Sequence, residues 1–119
     1  MTDTSIIRLK LVDIVGSPNC VDTVDGHKIN EAVSEQLGLG NSIVLSFEGV
    51  ERITTAFLNA AVGQLYNEFS EEVIRQHLRF EDITSINPVV LTRVIQRAKE
   101  YFSDPEKFDA ATRDALEDD

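Results

Sequence analysis

The chain has 119 residues, enough for one domain around a single core, which we place over residues 1–119. Eleven basic residues against twenty-one acidic ones give a net charge of −10. This charge repels phosphate backbones and anionic lipids, so we expect neither nucleic-acid nor membrane binding. With 42% apolar residues, no membrane-length apolar run and no basic leader, the sequence predicts a soluble cytoplasmic protein. Cys20 is the single cysteine, which excludes an internal disulfide, and we expect neither a metal nor a cofactor.

The first third of the chain predicts a strand, a loop and a helix. Alternating apolar and charged residues predict the strand over residues 6–15. Residues 16–26 are rich in turn formers and predict a loop that has room for a short extended piece. Apolar residues at helical spacing over residues 27–37, followed by glycines, predict an amphipathic helix.

The middle of the chain predicts the most buried part of the fold. The apolar run over residues 42–47 predicts a central strand that is covered by helices on both faces. Residues 55–69 carry a broad apolar face and predict a buried helix that packs on the sheet. After a short acidic connection, the alternation in residues 77–81 predicts a further strand.

The last third of the chain predicts two helices. Pro88 fits the first position of one helix, with Asn87 or a nearby residue as its cap. A capping box at residues 103–106 predicts a C-terminal helix over residues 105–116, whose acidic end should fray. Strands and helices in this order predict a small α/β sandwich. Its central mixed or parallel sheet should be covered by about four helices, with right-handed crossovers between parallel strands.

The sequence contains no pattern that indicates catalysis. His27 and His77 lack the spacing that places metal ligands on one helix face, and no phosphate-binding loop or nucleophile elbow is present. Glu48 with Glu51, or Glu71 with Glu72, could form a carboxylate pair, but solvated charges on loop and helix edges are the favoured explanation. We therefore predict a protein that is not an enzyme.

Two hydroxyls stand where the central strand leads into the buried helix. Ligands of open α/β sheets bind at the carboxyl ends of strands, which makes this joint the leading candidate for a site. Thr54 or Thr55 can accept a hydrogen bond from the first helical turn, as helix caps do. An exposed hydroxyl there could also be phosphorylated, which would add up to about two negative charges. Both interpretations can hold at once.

The segment VLSFEGVERITTAFLNAAVGQL around this joint resembles the STAS-like domain family of unknown function (DUF4325) and, more distantly, the STAS domains of anti-sigma factor antagonists. Thr54 and Thr55 take positions where the family has serines. Ser46 stands in place of the family's aspartate. Ala56 stands where the antagonists carry the serine that a partner kinase phosphorylates, so Thr55 is the remaining acceptor. The apolar and glycine positions of the motif are matched by Phe47, Gly49, Val50, Ile53 and Phe57.

The resemblance implies a non-catalytic regulatory module that binds a partner protein. It implies a histidine-kinase-like ATPase of the anti-sigma type as the partner class. Two alternatives stay open: a constitutive homo-oligomer or homodimer that assembles through the last helix, and a sensor of a small ligand or nucleotide that uses the strand ends. The expected partner-binding surface comprises Glu48, Glu51, Arg52, Thr54, Thr55 and Asn59.

Overall fold

The computed structural model describes residues 5–83 and 88–103, which form an α/β domain. The expectations for Asn87 and for residues 105–116 concern residues outside this part of the chain. In chain order the elements are β1 Ile6–Lys10, α1 Leu11–Val15, β2 Asn19–Cys20, α2 Thr23–Gly38, β3 Ser42–Ser46, β4 Arg52–Ile53, α3 Thr55–Leu58, a π-helical turn Asn59–Gly63, α4 Leu65–Glu68, α5 Glu71–His77, β5 Leu78–Glu81 and α6 Pro88–Ser103.

A three-stranded parallel sheet in the order β1-β3-β5 is the centre of the fold. Ile43 of β3 lies opposite Ile7 on one side and opposite Leu78 on the other. The apolar run of β3 thus occupies the middle of the sheet, as predicted. The short strands β2 and β4 form a separate parallel pair, with Cys20 beside Ile53. The predicted α/β class with a parallel sheet is confirmed.

Within the described residues, the two faces of this sheet are buried to different degrees. Ile43 and Leu45 point to the more buried face and are each 1% exposed, whereas Ile6 on the other face is 72% exposed. Val44 is only half-buried because the register places Arg8 and Arg79 on either side of it. The central strand was predicted to be covered on both faces, but its second face is less buried than the first: Ser42 and Val44 are half-buried there, and only Ser46 is fully buried.

The first strand is shorter and the first long helix longer than predicted. β1 ends at Lys10, and the next five residues form α1 rather than continuing the strand. Gly16 closes α1 in the left-handed region (φ 80°), and its N–H donates to the Val12 carbonyl over 2.8 Å. The predicted extended piece in the following loop is β2, and α2 begins at Thr23 rather than at His27.

α3, the π-helical turn and α4 together form what we call the central helix. It was predicted as one regular helix over residues 55–69, but a π-type hydrogen bond interrupts it: the Gln64 N–H donates to the Asn59 carbonyl, five residues back, over 3.1 Å. α2 and α6 both pack against the central helix. Its largest fully buried side chains are those of Phe57, Leu58, Val62 and Leu65.

α5 occupies what the sequence predicted as a short acidic connection before β5. The Ser70 hydroxyl accepts a hydrogen bond from the Val73 N–H over 3.2 Å, and Glu71 and Glu72 lie in the first turn, where the helix dipole favours negative charge. α6 begins at Pro88 as predicted and buries the apolar side chains of Leu91, Val94 and Ala98.

Candidate functional site

The joint before the central helix is held by the hydroxyl of Thr54. This oxygen accepts a hydrogen bond from the Phe57 N–H over 3.1 Å, which caps the helix, and donates one to the Val21 carbonyl over 3.0 Å. The Thr54 N–H also donates to the Cys20 carbonyl, over 3.1 Å. Thr54 is half-buried. Of the two interpretations, capping describes Thr54, and its hydroxyl already has both a donor and an acceptor partner.

Thr55 has the opposite environment. It is the first residue of α3 and is exposed, as is Ala56 next to it. Val21, whose carbonyl binds Thr54, is 38% exposed, and Val24 at the start of α2 is 66% exposed. An accessible hydroxyl and exposed apolar side chains therefore lie on chain segments that are directly hydrogen-bonded to each other. Surfaces of this mixed character are typical of protein interfaces.

The remaining predicted site residues are exposed but do not form one cluster of contacts. The backbone N–H groups of Glu51 and Arg52 donate to the Pro18 carbonyl over 2.8 and 3.3 Å. Both side chains are exposed next to the joint. Glu48 instead forms an ion pair with Lys10, whose Nζ lies 3.4 Å from Oε1. Asn59, one turn beyond Thr55, borders a groove beside α6.

A polar cluster that the sequence analysis missed lies at the carboxyl end of the sheet. The buried Ser46 hydroxyl donates to Asp82 Oδ2 over 2.7 Å and accepts from the Glu48 N–H over 3.2 Å. Arg8 binds Asp82 Oδ2 over 2.8 Å and Glu81 Oε1 over 2.7 Å. Asp82 has a left-handed backbone (φ 60°), which is uncommon for a residue other than glycine. Each of these groups has a partner within the cluster.

The contacts in this cluster shift the titration of its members. The hydrogen bond from Ser46, followed by the charge of Arg8, holds the pKa of Asp82 below its usual range. The hydrogen bond to Glu81 raises the pKa of the Arg8 guanidinium. The carboxyl end of the sheet thus carries an ion-pair network in which Arg8, Glu81, Asp82 and Ser46 bind one another. Two features of the sequence indicated this network: charged residues at or just after the ends of β1, β3 and β5, and Ser46 at the position where the family has an aspartate.

Two other reactive residue types have simple structural roles. Burial, and then the negative charge of Asp25, raises the pKa of the Cys20 thiol to about 11, so this free cysteine is protonated at neutral pH. His77 ends α5, and a hydrogen bond of 3.0 Å joins its Nδ1 to the Ser42 hydroxyl. His27 is an exposed residue of α2.

The described part of the chain has neither a cluster of metal ligands nor a membrane-spanning helix. Among residues 5–83 and 88–103, three or more His, Cys, Asp or Glu side chains are nowhere arranged to hold a metal ion. In the same residues, no helix combines the length and the apolar character that crossing a membrane requires.

The fold and the joint define a small α/β domain with a parallel sheet and a capped helix after its central strand. A protein-family model described as a STAS-like domain of unknown function (DUF4325) matches residues 25–87, more than half of the chain. The chain belongs to this family, as the motif around the joint predicted. No curated protein and no solved structure matches the chain.

Proposed function

We propose that this STAS-like domain is a non-catalytic regulatory module that binds a partner protein around the start of the central helix, and that phosphorylation of Thr55 controls this binding. The observation that carries the proposal is the contrast between the two threonines. Thr54 uses its hydroxyl to hold the joint, whereas Thr55 is exposed at the first helical position. A phosphate on Thr55 would leave the cap of the central helix intact.

The surface next to Thr55 suits a switch of this kind. Val24 and Val21 are exposed apolar side chains that a partner would cover, and Glu51 and Arg52 supply charges beside them. Covering apolar area favours association, whereas a phosphate of up to two negative charges would have to be desolvated in the same contact. Modification of Thr55 should therefore oppose docking without unfolding the domain.

The partner class follows from the family resemblance and is part of the proposal. The more distant likeness to anti-sigma factor antagonists points to a histidine-kinase-like ATPase, which would both bind the domain and phosphorylate it. Ala56 is exposed at the position where those antagonists carry the phosphorylated serine. The substitution Ala56→Ser would restore that acceptor, and the accessible position offers no steric reason against it.

The test is capture of partners from native lysate by the wild type, Thr55→Ala and Thr55→Glu, with intact-mass measurement of the recovered domain. We expect an ATPase of the stated type with the first two proteins and at least a tenfold lower recovery with Thr55→Glu, equivalent to about 1.4 kcal/mol. Thr92→Glu is the matched control, because Thr92 is an exposed threonine on α6. Equal recovery with all four proteins, together with an unmodified mass, would rule out the switch.

A second variant tests the surface independently of phosphorylation. Val24 is 66% exposed, so Val24→Ser should leave the fold intact while it removes apolar area from the proposed contact. The captured ATPase should then bind more weakly in a purified binding assay. Unchanged affinity would place the interface elsewhere on the domain.

A further inference from the structure

A groove of about 500 Å³ lies between the π-helical turn and α6. Small buried residues, Gly63 and Ala98, form its base, and a Cβ placed on Gly63 would be 3.9 Å from the Ala98 Cβ. Tyr101 and Phe102 form an aromatic wall, with their ring centroids 4.8 Å apart in an edge-to-face arrangement. Tyr101 is 53% exposed. The groove thus presents partly exposed aromatic side chains.

The α6 side of the groove is positively charged although the chain as a whole is acidic. Arg97 lines the groove, and Arg93 lies one turn before it on the same helix face. Both are exposed, and neither forms an ion pair within the described part of the chain. Lys99 on another face of α6 is instead paired with Glu71 over 3.2 Å. Within the described residues, these two arginines without an ion pair outnumber Glu100, the one carboxylate that helical spacing puts on the same face of α6. The face therefore has a net positive charge on a chain of net charge −10.

We propose that this groove is a docking site for a helical segment of another protein that carries carboxylates next to apolar side chains. The apolar side chains would fill the space above Gly63 and Ala98, in the manner of an amphipathic helix in a groove. The carboxylates would pair with Arg97 and Arg93, because arginine binds carboxylates through two parallel hydrogen bonds. The charge of this face selects an acidic segment, although the rest of the chain repels one.

The docking site goes beyond the proposed switch and does not depend on it. The groove adjoins the surface around Thr55 at Asn59, but the residues that carry the two proposals differ. Failure of the Thr55 experiment therefore leaves the groove untouched. A bound helix in the groove would likewise give no information on whether Thr55 is modified.

The test measures fluorescence anisotropy of two labelled synthetic helices of 18 residues with the full chain. One helix has leucines on one face and glutamates beside them, and the other has lysine in place of every glutamate. We expect the glutamate helix to bind the wild type and to lose at least tenfold in affinity with Arg97→Glu. The lysine helix should show the reverse preference.

Two further variants keep this test specific. Arg75→Glu makes the same change in net charge on α5, at an exposed arginine outside the groove, and should leave affinity for the glutamate helix within twofold. Gly63→Ala makes the groove shallower without any change of charge. The added methyl group would lie 3.6 Å from the nearest atom, Asn59 Oδ1, so the domain should fold while the glutamate helix binds more weakly.

Four outcomes would overturn the proposal. The glutamate helix could fail to bind the wild type, or the lysine helix could bind it more tightly because net charge alone governs attraction. Arg75→Glu could weaken binding as much as Arg97→Glu. Sedimentation of the wild type and Arg97→Glu over a range of concentrations tests the fourth outcome: a dimer that only the wild type forms would make a second copy of this chain the occupant.

Discussion

The two helices that flank the central helix pack against it very differently. α2 approaches so closely that a Cβ on Gly26 would lie 2.7 Å from the Phe57 carbonyl oxygen and 2.8 Å from the Ala60 Cβ. Asn30 of α2, 9% exposed, adds a hydrogen bond of 3.4 Å to the Ala61 carbonyl. On the α6 side, a Cβ on Gly63 would meet nothing closer than 3.6 Å, and a groove remains open.

This difference separates a glycine that the fold requires from one that it does not. The α2 contact has no room for a methyl group, so its geometry is fixed by close packing. The α6 contact leaves space and exposes aromatic and charged side chains, so it is available for binding. Both glycines are buried in helices, and neither burial nor sequence distinguishes them. The distances from a Cβ placed on each glycine to neighbouring atoms distinguish them: 2.7 Å at Gly26 and 3.6 Å at Gly63.

The largest effect should come from Gly26→Ala. The added methyl group must push α2 away from the backbone of the central helix, and overpacking of this kind costs about 3 kcal/mol, more than the helix propensity gained from alanine. Urea denaturation should show the lower free energy of unfolding as a lower midpoint with an unchanged slope. If Gly26→Ala were as stable as the wild type, α2 would have to lie farther from the central helix than it does in this structure.

The second-largest loss of stability should come from Thr54→Ala. Thr54→Ala removes the cap of the central helix and leaves the Phe57 N–H without its side-chain acceptor, which costs about 1 kcal/mol. Thr55→Ala is the matched control, since its hydroxyl is exposed, and should stay within about 0.5 kcal/mol of the wild type. Thermal unfolding of both variants checks the order. Equal losses would show that the two threonines share the capping role.

The sequence predicted most elements of this fold, but it could not decide between the two threonines. Which of them caps the helix depends on the angle at which the chain enters it, and β4 sets that angle by pairing with the distant β2. α1 was missed because its β-branched residues favour a strand when read locally. α5 could have been found, since Ser70 followed by Glu71 and Glu72 is a helix-start signal.

The polar cluster at the strand ends was missed for the same kind of reason. Arg8, Ser46 and Asp82 lie on three separate segments and meet only because β1, β3 and β5 are parallel and adjacent. Periodicity within one segment carries no information about such a meeting. The order of the strands had to be known first, and the sequence predicted a parallel or mixed sheet without that order.

Gly63→Ala should have a smaller effect than these losses, and of opposite sign. The methyl group fits at ordinary contact distance, and alanine is favoured over glycine inside a helix by about 1 kcal/mol. The π-helical turn reduces this gain, since its backbone is not that of a regular helix. A rise in the urea midpoint would confirm the looser packing on the α6 side. A loss as large as that of Gly26→Ala would contradict the comparison of the two glycines.

The smallest effect concerns the polar cluster at the carboxyl end of the sheet, which hydrogen bonds and ion pairs hold together. The pKa of Asp82 is lowered mainly by the Ser46 hydroxyl, and then by Arg8. Because the folded pKa lies below the unfolded one, Asp82 contributes stability at pH values above the unfolded pKa, about 3.9, and this contribution is lost as the pH falls through the folded value. Ser46→Ala should therefore raise the pKa of Asp82 toward its usual range, which NMR titration of the side-chain carboxyl carbon would detect. If the pKa of Asp82 does not change in Ser46→Ala, Arg8 is the main cause of its lowering, and Arg8→Gln should then raise this pKa.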